Sequence, residues 1–401
     1  YINEHKVDLL RNINLPEDID NIHHLSLTSN SVRQLNVINN YSYYKGKNES
    51  LYSICDDCGF IGGKRLMKER LLYPSINPEI LQLRYDRIEC MQDVHFNKEM
   101  KENIHKLTDL DKCLRKMGLG MLEPSHFLTS KLSYDFINRI IHTIKSNSQL
   151  IELYSDYTET MDLYTHFYKE ILETFNFDNF YSVDHSYFKE GIYPDIDCLE
   201  NDIIKVNDKL QYISNRLSSI IDAPSSCKFD HNDKYGYYLY CTKKRSILLE
   251  KRLKNIPNRI LNIRDPNNNV IFEIESSAFT YKTKDTGNVF IECTEINELS
   301  SKLQLSVQKM KTINLMYWSQ TMNSLFTNYN TTLQKLHQFI ADVDVTSTIA
   351  KLSIQNKYCK PELIDNTKSC VVAEDIRHPI VERISVDSEY VTNDIILGKD
   401  D

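Results

Sequence analysis

Residues 195–221 read DIDCLENDIIKVNDKLQYISNRLSSII. Within them Ile196, Leu199, Ile203, Val206, Leu210, Ile213, Leu217 and Ile220 are spaced 3, 4, 3, 4, 3, 4 and 3. That alternation keeps one face of an α-helix apolar through about 26 residues, or ~39 Å at 1.5 Å per residue. Pro224 stops the pattern. A seam this long needs an apolar partner. The nearest is a second helical run, opened by Ile296, Leu299, Leu303, Val307 and Met310 and closed by Leu325, Tyr329, Leu333, Leu336 and Ile340. It predicts a helix from Thr294 to about Ala341. Between the two, residues 227–293 change character. CKFD (227–230), YGYYLYCT (235–242), NNVIFEIES (268–276), FTYKT (279–283) and NVFIECT (288–294) are short β-type runs bounded by Asn, Asp, Gly and Pro. One helix out, a small β domain and one helix back form an antiparallel arm with a tip.

Upstream the chain is mainly helical. Residues 1–50 are polar and mixed, with a strand or turn expected around Leu25–Val37. A helical pattern starts at Leu51 and runs through Met67, Leu71 and Leu72 to Pro74. Ser75–Arg87 reads as a turn and the start of a second helix, with Ile80, Leu83 and Ile88 on one face. Helices continue to about Phe177, and the aromatic, Gly-bearing stretch to Pro194 reads as a loop. The 401 residues are 26% charged and 41% hydrophobic, which fits two or three globular domains. No apolar run is long enough to span a membrane, and the opening YINEHKVDLLRN lacks the apolar core of a secretory signal. Ten irregularly spaced Cys then read as reduced intracellular thiols, leaving nucleus, cytoplasm, organelle and viral factory open. Tyr1 is not a natural start, so the chain is expected to be part of a longer one.

The formal net charge is −8, but its distribution is uneven. From Lys228 to Asn288 there are twelve Lys+Arg against seven Asp+Glu, a balance of +5 on an otherwise acidic body. Such a segment focuses polyanion binding on one place. Its candidate phosphate-contacting cations are Lys243, Lys244, Arg245, Lys251, Arg252, Lys254, Lys282 and Lys284, weighed against an ordinary solvated face. Tyr235, Tyr237, Tyr238 and Tyr240 could stack bases but suit a small sheet better. Cys55 and Cys58 form a C-x-x-C with no second pair to complete a zinc site. GFIGGKR (59–65) mimics a phosphate loop but lacks the required Gly frame and terminal Ser/Thr, so it reads as a turn that lets helices pack closely. The twelve His, including the adjacent His23 and His24, show no ligand spacing. No catalytic residue and no metal site is assigned.

The closing stretches carry a family resemblance. DVDVTSTIAKLSIQNKYCKPELID (342–365), EDIRHPIVE (374–382) and SEYVTNDIILG (388–398) resemble, in order, the helix end, the "Y-RP" segment, the "RHP-(V/I)-E" strand and the "(F/Y)V-ND" strand of the MutS family of DNA mismatch-repair and recombination ATPases. In that family the phosphate loop follows at once, whereas no G-x-x-x-x-G-K-[ST] occurs in these 401 residues. SVRQLNVI (31–38) and SLYSICDDCGFIGGKRLMKERLLYPSINPEILQLRYDRIE (50–89) resemble the core entry. HKLTDLDKCLRKMGLGMLEPSHFLT (105–129) is similar to the "DLER" segment, FKEGIYPDIDCLEN (188–201) to the opening of the lever, and KFDHNDKYGYYLYCTKK (228–244) to the first clamp hairpin. The ending YVTNDIILGKDD is most similar to the giant-virus and octocoral-mitochondrial branch, whose members carry a nuclease far downstream.

The resemblance implies a mainly α fold with a small β insertion. A helical core (1–194) and long antiparallel lever helices (195–222 and 294–356) carry a β clamp (223–293). The first strands of an α/β ATPase domain follow (357–401). The expected role is to encircle duplex DNA, with clamp position coupled to a nucleotide state set elsewhere. The intact parent would be a homodimer, joined through its ATPase domain, that uses ATP and Mg; this chain alone would bind neither. Tyr390 and Val391 occupy the family's adenine-flanking positions, with the Tyr390 ring, not its hydroxyl, doing the stacking. The competing readings are a non-catalytic coiled-coil scaffold for protein partners, and a DNA-processing protein whose main chemistry is a downstream nuclease.

Overall fold

A computed structural model describes residues 24–38, 50–182, 184–232, 234–364, 369–384 and 390–398. Expectations that fall on 1–23, including His23, on 39–49 and on 399–401 lie outside the described residues. The fold is mainly α with small antiparallel sheets. Thirteen α-helices are described: α1 Ser29–Gln34, α2 Leu51–Cys55, α3 Ile61–Leu72, α4 Pro78–Cys90, α5 Val94–Ile104, α6 Leu110–Gly118, α7 Pro124–Ser146, α8 Ser148–Leu153, α9 Thr158–Thr174, α10 Pro194–Ile220, α11 Lys243–Leu253, α12 Thr294–Asn356 and α13 Val381–Ile384. The strands are β1 Lys228–Asn232, β2 Gly236–Thr242, β3 Ile260–Arg264, β4 Val270–Glu275, β5 Thr280–Thr283, β6 Asn288–Glu292, β7 Val371–Ile376 and β8 Asn393–Leu397.

Four expectations need correction. The strand or turn around Leu25–Val37 is helix α1, started by the Thr28 hydroxyl, which accepts from the Ser31 N–H at 3.1 Å. The single helix from Leu51 is two, because CDDCGF breaks it. The Asp56 cap leaves helical geometry, and α3 restarts behind an extended Phe60. The returning helix does not end at Ala341 but continues unbroken to Asn356, 63 residues in all. The RHPIVE stretch is not a strand: β7 ends at Ile376, before Arg377, and α13 begins at Val381. The insertion is also less purely β than its pattern suggests, since it contains α11.

Two compact units are present. One gathers Tyr1–Arg115, Thr129–His166 and Tyr329–Asp401. Its core holds Tyr134, Tyr154, Tyr164 and Phe339, all at most 1% exposed. Tyr164 donates its hydroxyl to the Tyr134 carbonyl at 2.6 Å, so a buried phenol is not left unpaired. On α12 every residue from Phe339 to Thr348 is buried, and the helix there is enclosed on all sides.

The other unit gathers Lys116–Leu128 and Phe167–Asn328. Phe127, Phe175, Phe180 and Tyr187 surround Trp318, whose indole N–H donates to the Leu122 carbonyl at 2.7 Å. Here lies the heptad seam. Ile196, Ile203, Val206, Leu210, Ile213 and Leu217 are buried, with Leu199 and Ile220 half-buried at its ends. Ile296, Leu303 and Met310 of α12 are buried too. Direction follows from two contacts. The Tyr317 hydroxyl donates to Asp195 at 2.9 Å, and Lys209 lines the same groove as Glu295, Glu298 and Lys302. As numbering on α10 rises from 195 to 209, that on α12 falls from 317 to about 298. The pair is antiparallel, as the sequence pattern predicts.

Leu210 is completely buried mid-seam. Leu210→Asp should cost about 3 kcal/mol or more, because nothing along the seam offers the new carboxylate a partner. Thermal unfolding checks this. A variant melting within a degree of wild type would mean that the seam is not a packed interface.

Candidate nucleic-acid interface

The insertion is built on an antiparallel sheet ordered β1-β2-β6-β5, with β3–β4 as a separate hairpin. The β1–β2 turn needs Gly236, whose φ of +66° disfavours any residue with a Cβ. The four tyrosines divide between sheet packing and exposure. Tyr237 stacks on Phe229 at 5.9 Å, Tyr238 meets the edge of Phe290 at 5.2 Å, and Tyr235 lies exposed in the turn. The Lys284 ammonium sits over Tyr240 at 3.7 Å and Tyr238 at 4.4 Å. A cation held on two ring faces is positioned but not neutralised.

The structure sorts the eight predicted cations. Arg252 bonds the Ile220 carbonyl at 2.6 Å and pairs with Asp222, so it ties α11 to the end of α10. Lys254 pairs with Glu250 at 2.9 Å, and Lys282 with Glu292 at 2.5 Å. Arg245 is half-buried. Lys243, Lys244 and Lys251 are exposed, and no carboxylate among the described residues lies within ion-pair distance of them.

Lys243, Lys244 and Arg245 form the first turn of α11. No acidic residue accompanies them there, and Thr242 makes no side-chain capping bond. Cations at a helix N-terminus oppose its macrodipole. The Lys243 N–H donates to the Gly287 carbonyl at 3.0 Å, so the N–H groups without a capping partner are those further into the turn. The arrangement is locally unfavourable, and an external anion would relieve it on both counts. Sequence reading found the charges but placed them after a β run. It missed the helix that concentrates them.

A second polar cluster, in the other unit, went unnoticed in the sequence. Asp342 and Asp344 lie within the fully buried stretch of α12. Asp342 pairs with Arg70, and with Arg87 at 3.1 Å. Arg87 donates twice to the Leu153 carbonyl, at 2.9 and 2.7 Å, and lies over the Tyr154 ring at 4.1 Å. Asp344 accepts from the N–H groups of Gly59 and Phe60 at 3.1 and 2.8 Å, with Lys101 at 3.5 Å. Burial pushes the Asp344 carboxyl above its ordinary value, and Lys101 with the two N–H groups pulls it back. The phosphate-loop mimic GFIGGKR thus cradles the protein's own carboxylate. Gly63 is required there, since a Cβ would collide with Asp344. Cys58 of the C-x-x-C is buried beside it, its thiol pushed up to about 12 by burial and then by Asp344. It stays protonated at neutral pH. The signal available in sequence was two Asp spaced i, i+2 inside an otherwise uncharged helical run.

The β7–β8 pair brings Arg377, His378 and Tyr390 together. Arg377 donates to the Asn356 carbonyl at 2.6 Å and so caps the C-terminus of α12, while pairing with Glu382 at 3.3 Å. The Tyr390 hydroxyl accepts from the His378 N–H at 2.9 Å. The phenol therefore has a task besides any stacking of its ring. Val391 is 77% exposed.

A family model, MutS domain III, matches residues 30–350, from α1 to the buried stretch of α12. The chain belongs to the MutS family. The putative DNA mismatch repair protein mutS homolog of Acanthamoeba polyphaga mimivirus is 27% identical over 99% of this chain. The DNA mismatch repair protein MutS of Petrotoga mobilis is 24% identical over all of it, and that of Caldanaerobacter subterraneus 24% over 99%. The chain spans 37%, 45% and 42% of these relatives' own lengths, so it corresponds to about two-fifths of a MutS protein. The MutS domain III match covers α10, the insertion and most of α12, together with both buried carboxylates.

Two outcomes follow from the geometry. Arg87→Leu should destabilise the protein by about 3 kcal/mol, since it leaves Asp342 buried with only Arg70 to balance it. Denaturant unfolding with a change below 1 kcal/mol would contradict the pairing. Tyr390→Phe should speed amide exchange at His378 without changing the global midpoint. Unchanged exchange at His378 would mean that the hydroxyl does not hold that loop.

Proposed function

We propose that this chain is the DNA-embracing core, lever and clamp of a mismatch-repair or recombination protein. It holds duplex DNA through the phosphate backbone and without sequence preference. The observation that carries this is the first turn of α11, where Lys243 and Lys244 stand exposed and unpaired among the described residues at an uncapped helix N-terminus. Lys251 extends the same charge along the helix. Membership of the MutS family and the names of the relatives support DNA as the partner. Phosphate contacts position a protein on DNA without reading its sequence, which suits flexible lysines.

In the intact protein we place a nucleotide, ATP with Mg, beside the β7–β8 pair, with Tyr390 and Val391 flanking the base. Arg377 would then link that site to the C-terminus of α12 through the Asn356 carbonyl. The intact protein would dimerise through the nucleotide-binding domain. This chain supplies the mechanical elements and no catalytic side chain. The scaffold reading has one observation in its favour: Arg252, Lys254 and Lys282 are already engaged by carboxylates within the insertion.

Replacing Lys243 and Lys244 together by Glu separates the two readings. Duplex affinity at low salt should fall at least about tenfold. The slope of log affinity against log salt should fall by ~1.8, or ~0.9 for each lost contact. The same change should leave stability equal or raise it by about 0.3–1 kcal/mol per site, because acids suit a helix N-terminus. Unchanged affinity and slope would favour the scaffold. A loss of affinity accompanied by a loss of stability would show that the lysines serve the fold.

A further inference from the structure

Apart from the charged surface, the insertion holds a buried pair of thiols that the DNA-binding reading does not use. In the β1–β2 ladder Lys228 faces Tyr240. Continued one residue past the end of β1, that register brings Cys227 opposite Cys241, and the two side chains are hydrogen-bonded. Residues directly opposite in an antiparallel pair have Cα atoms about 4.5–5.5 Å apart, within the 4.4–6.8 Å range usual for disulfides. Each cysteine is 2% exposed and both are reduced. The surroundings are polar for so buried a place. The Tyr281 hydroxyl is buried without a hydrogen-bond partner among the described residues. The positive charge of Arg245, in the first turn of α11, acts on both sulfurs.

We propose that Cys227 and Cys241 are a redox-active dithiol, closed to an intramolecular disulfide by a peroxide-class oxidant. The Cys227 sulfur, as thiolate, attacks one peroxide oxygen. The O–O bond breaks, a sulfenic acid forms on Cys227, and the departing hydroxide takes a proton to become water. The Cys241 sulfur then attacks the Cys227 sulfur, expelling hydroxide, which leaves as water with the Cys241 proton. Two thiols are oxidised by two electrons, one peroxide is reduced, and two waters are released. Cys227, next to the exposed Pro224 and Ser225, is the attacking member, while Cys241 lies inside β2. The Cys227 thiol is held below the ordinary value, chiefly by the hydrogen bond with Cys241, against the burial that raises it. The Cys241 thiol is pushed up by that bond and by burial.

The disulfide has a mechanical consequence. The Cys227 backbone is fastened to the end of α10, where Ser214 donates to its carbonyl at 2.9 Å and its N–H donates to the Ser218 hydroxyl at 3.0 Å. Cys241 precedes Thr242, the cap of α11. Closing the bond would tie the residue that is hydrogen-bonded to the end of α10 to the strand that runs into the basic helix.

The test treats the folded full chain with hydrogen peroxide, blocks remaining thiols and digests with trypsin. Cys227 and Cys241 fall in separate tryptic peptides, 217–228 and 235–243. The expected result is a disulfide-linked pair of these peptides, with two of the ten thiols lost and regained on reduction. In Cys241→Ser the linked pair should vanish and a sulfenic-acid trap should label Cys227. The proposal is overturned if the exposed Cys198 and Cys359 oxidise while the two peptides stay unlinked. It is equally overturned if the link forms only after denaturation.

Discussion

The enclosed stretch of α12 places two carboxylates, Asp342 and Asp344, where water does not reach, and the unit around them is arranged to answer that. An unpaired buried charge costs several kcal/mol, so each needs partners held in fixed positions. Asp342 takes guanidinium groups from α3 and α4, through Arg70 and Arg87. Asp344 takes two backbone N–H groups at the start of α3 and the ammonium of Lys101 from α5. Three helices distant in sequence are thereby fixed around α12, since residues two apart on a helix point to nearly opposite sides. A rotation or slip of that helix would strand a charge, and purely apolar packing imposes no such penalty. Arg377 fixes the far end of the same helix by closing its last carbonyls.

The insertion works by the opposite logic. Its charges are left at the surface, and three of them occupy the end of α11 that least favours them. Natural sequences are locally consistent in most places, and sites that break a local preference are where function is concentrated. Four of the eight candidate cations are engaged: Arg252 with the α10 terminus, Lys254 and Lys282 with glutamates, Lys284 on tyrosine rings. Among the eight candidates, the charge left exposed and without an ion pair among the described residues is that of Lys243, Lys244 and Lys251.

Strong periodicity was legible before any coordinates. The 3,4 spacing of residues 196–220 predicts α10, its buried face and its need for a partner, because side-chain direction on a helix is fixed by geometry. The β runs from 227 to 293 are legible for the same reason. What the pattern does not carry is tertiary. The break at CDDCGF depends on Asp344, some 285 residues away, accepting the Gly59 N–H. The helix Lys243–Leu253 has its apolar residues Leu249 and Leu253 buried against the sheet, but its density of charge hides that face in a linear reading. Tyr390 could be assigned by resemblance to a ring-stacking position, whereas its hydroxyl bond to His378 depends on how β7 and β8 pair. The resemblance itself was legible from ordered motifs, and the family match bears it out.

The most direct test of the central claim, that the uncapped N-terminus of α11 is where this chain meets the DNA backbone, is amide hydrogen exchange with and without duplex DNA at low salt. The account predicts that the amides of Lys244 and Arg245 slow markedly on adding duplex, independently of its sequence, and that the slowing disappears at high salt. Protection that falls elsewhere, with the first turn of α11 exchanging at the same rate in both states, would contradict it.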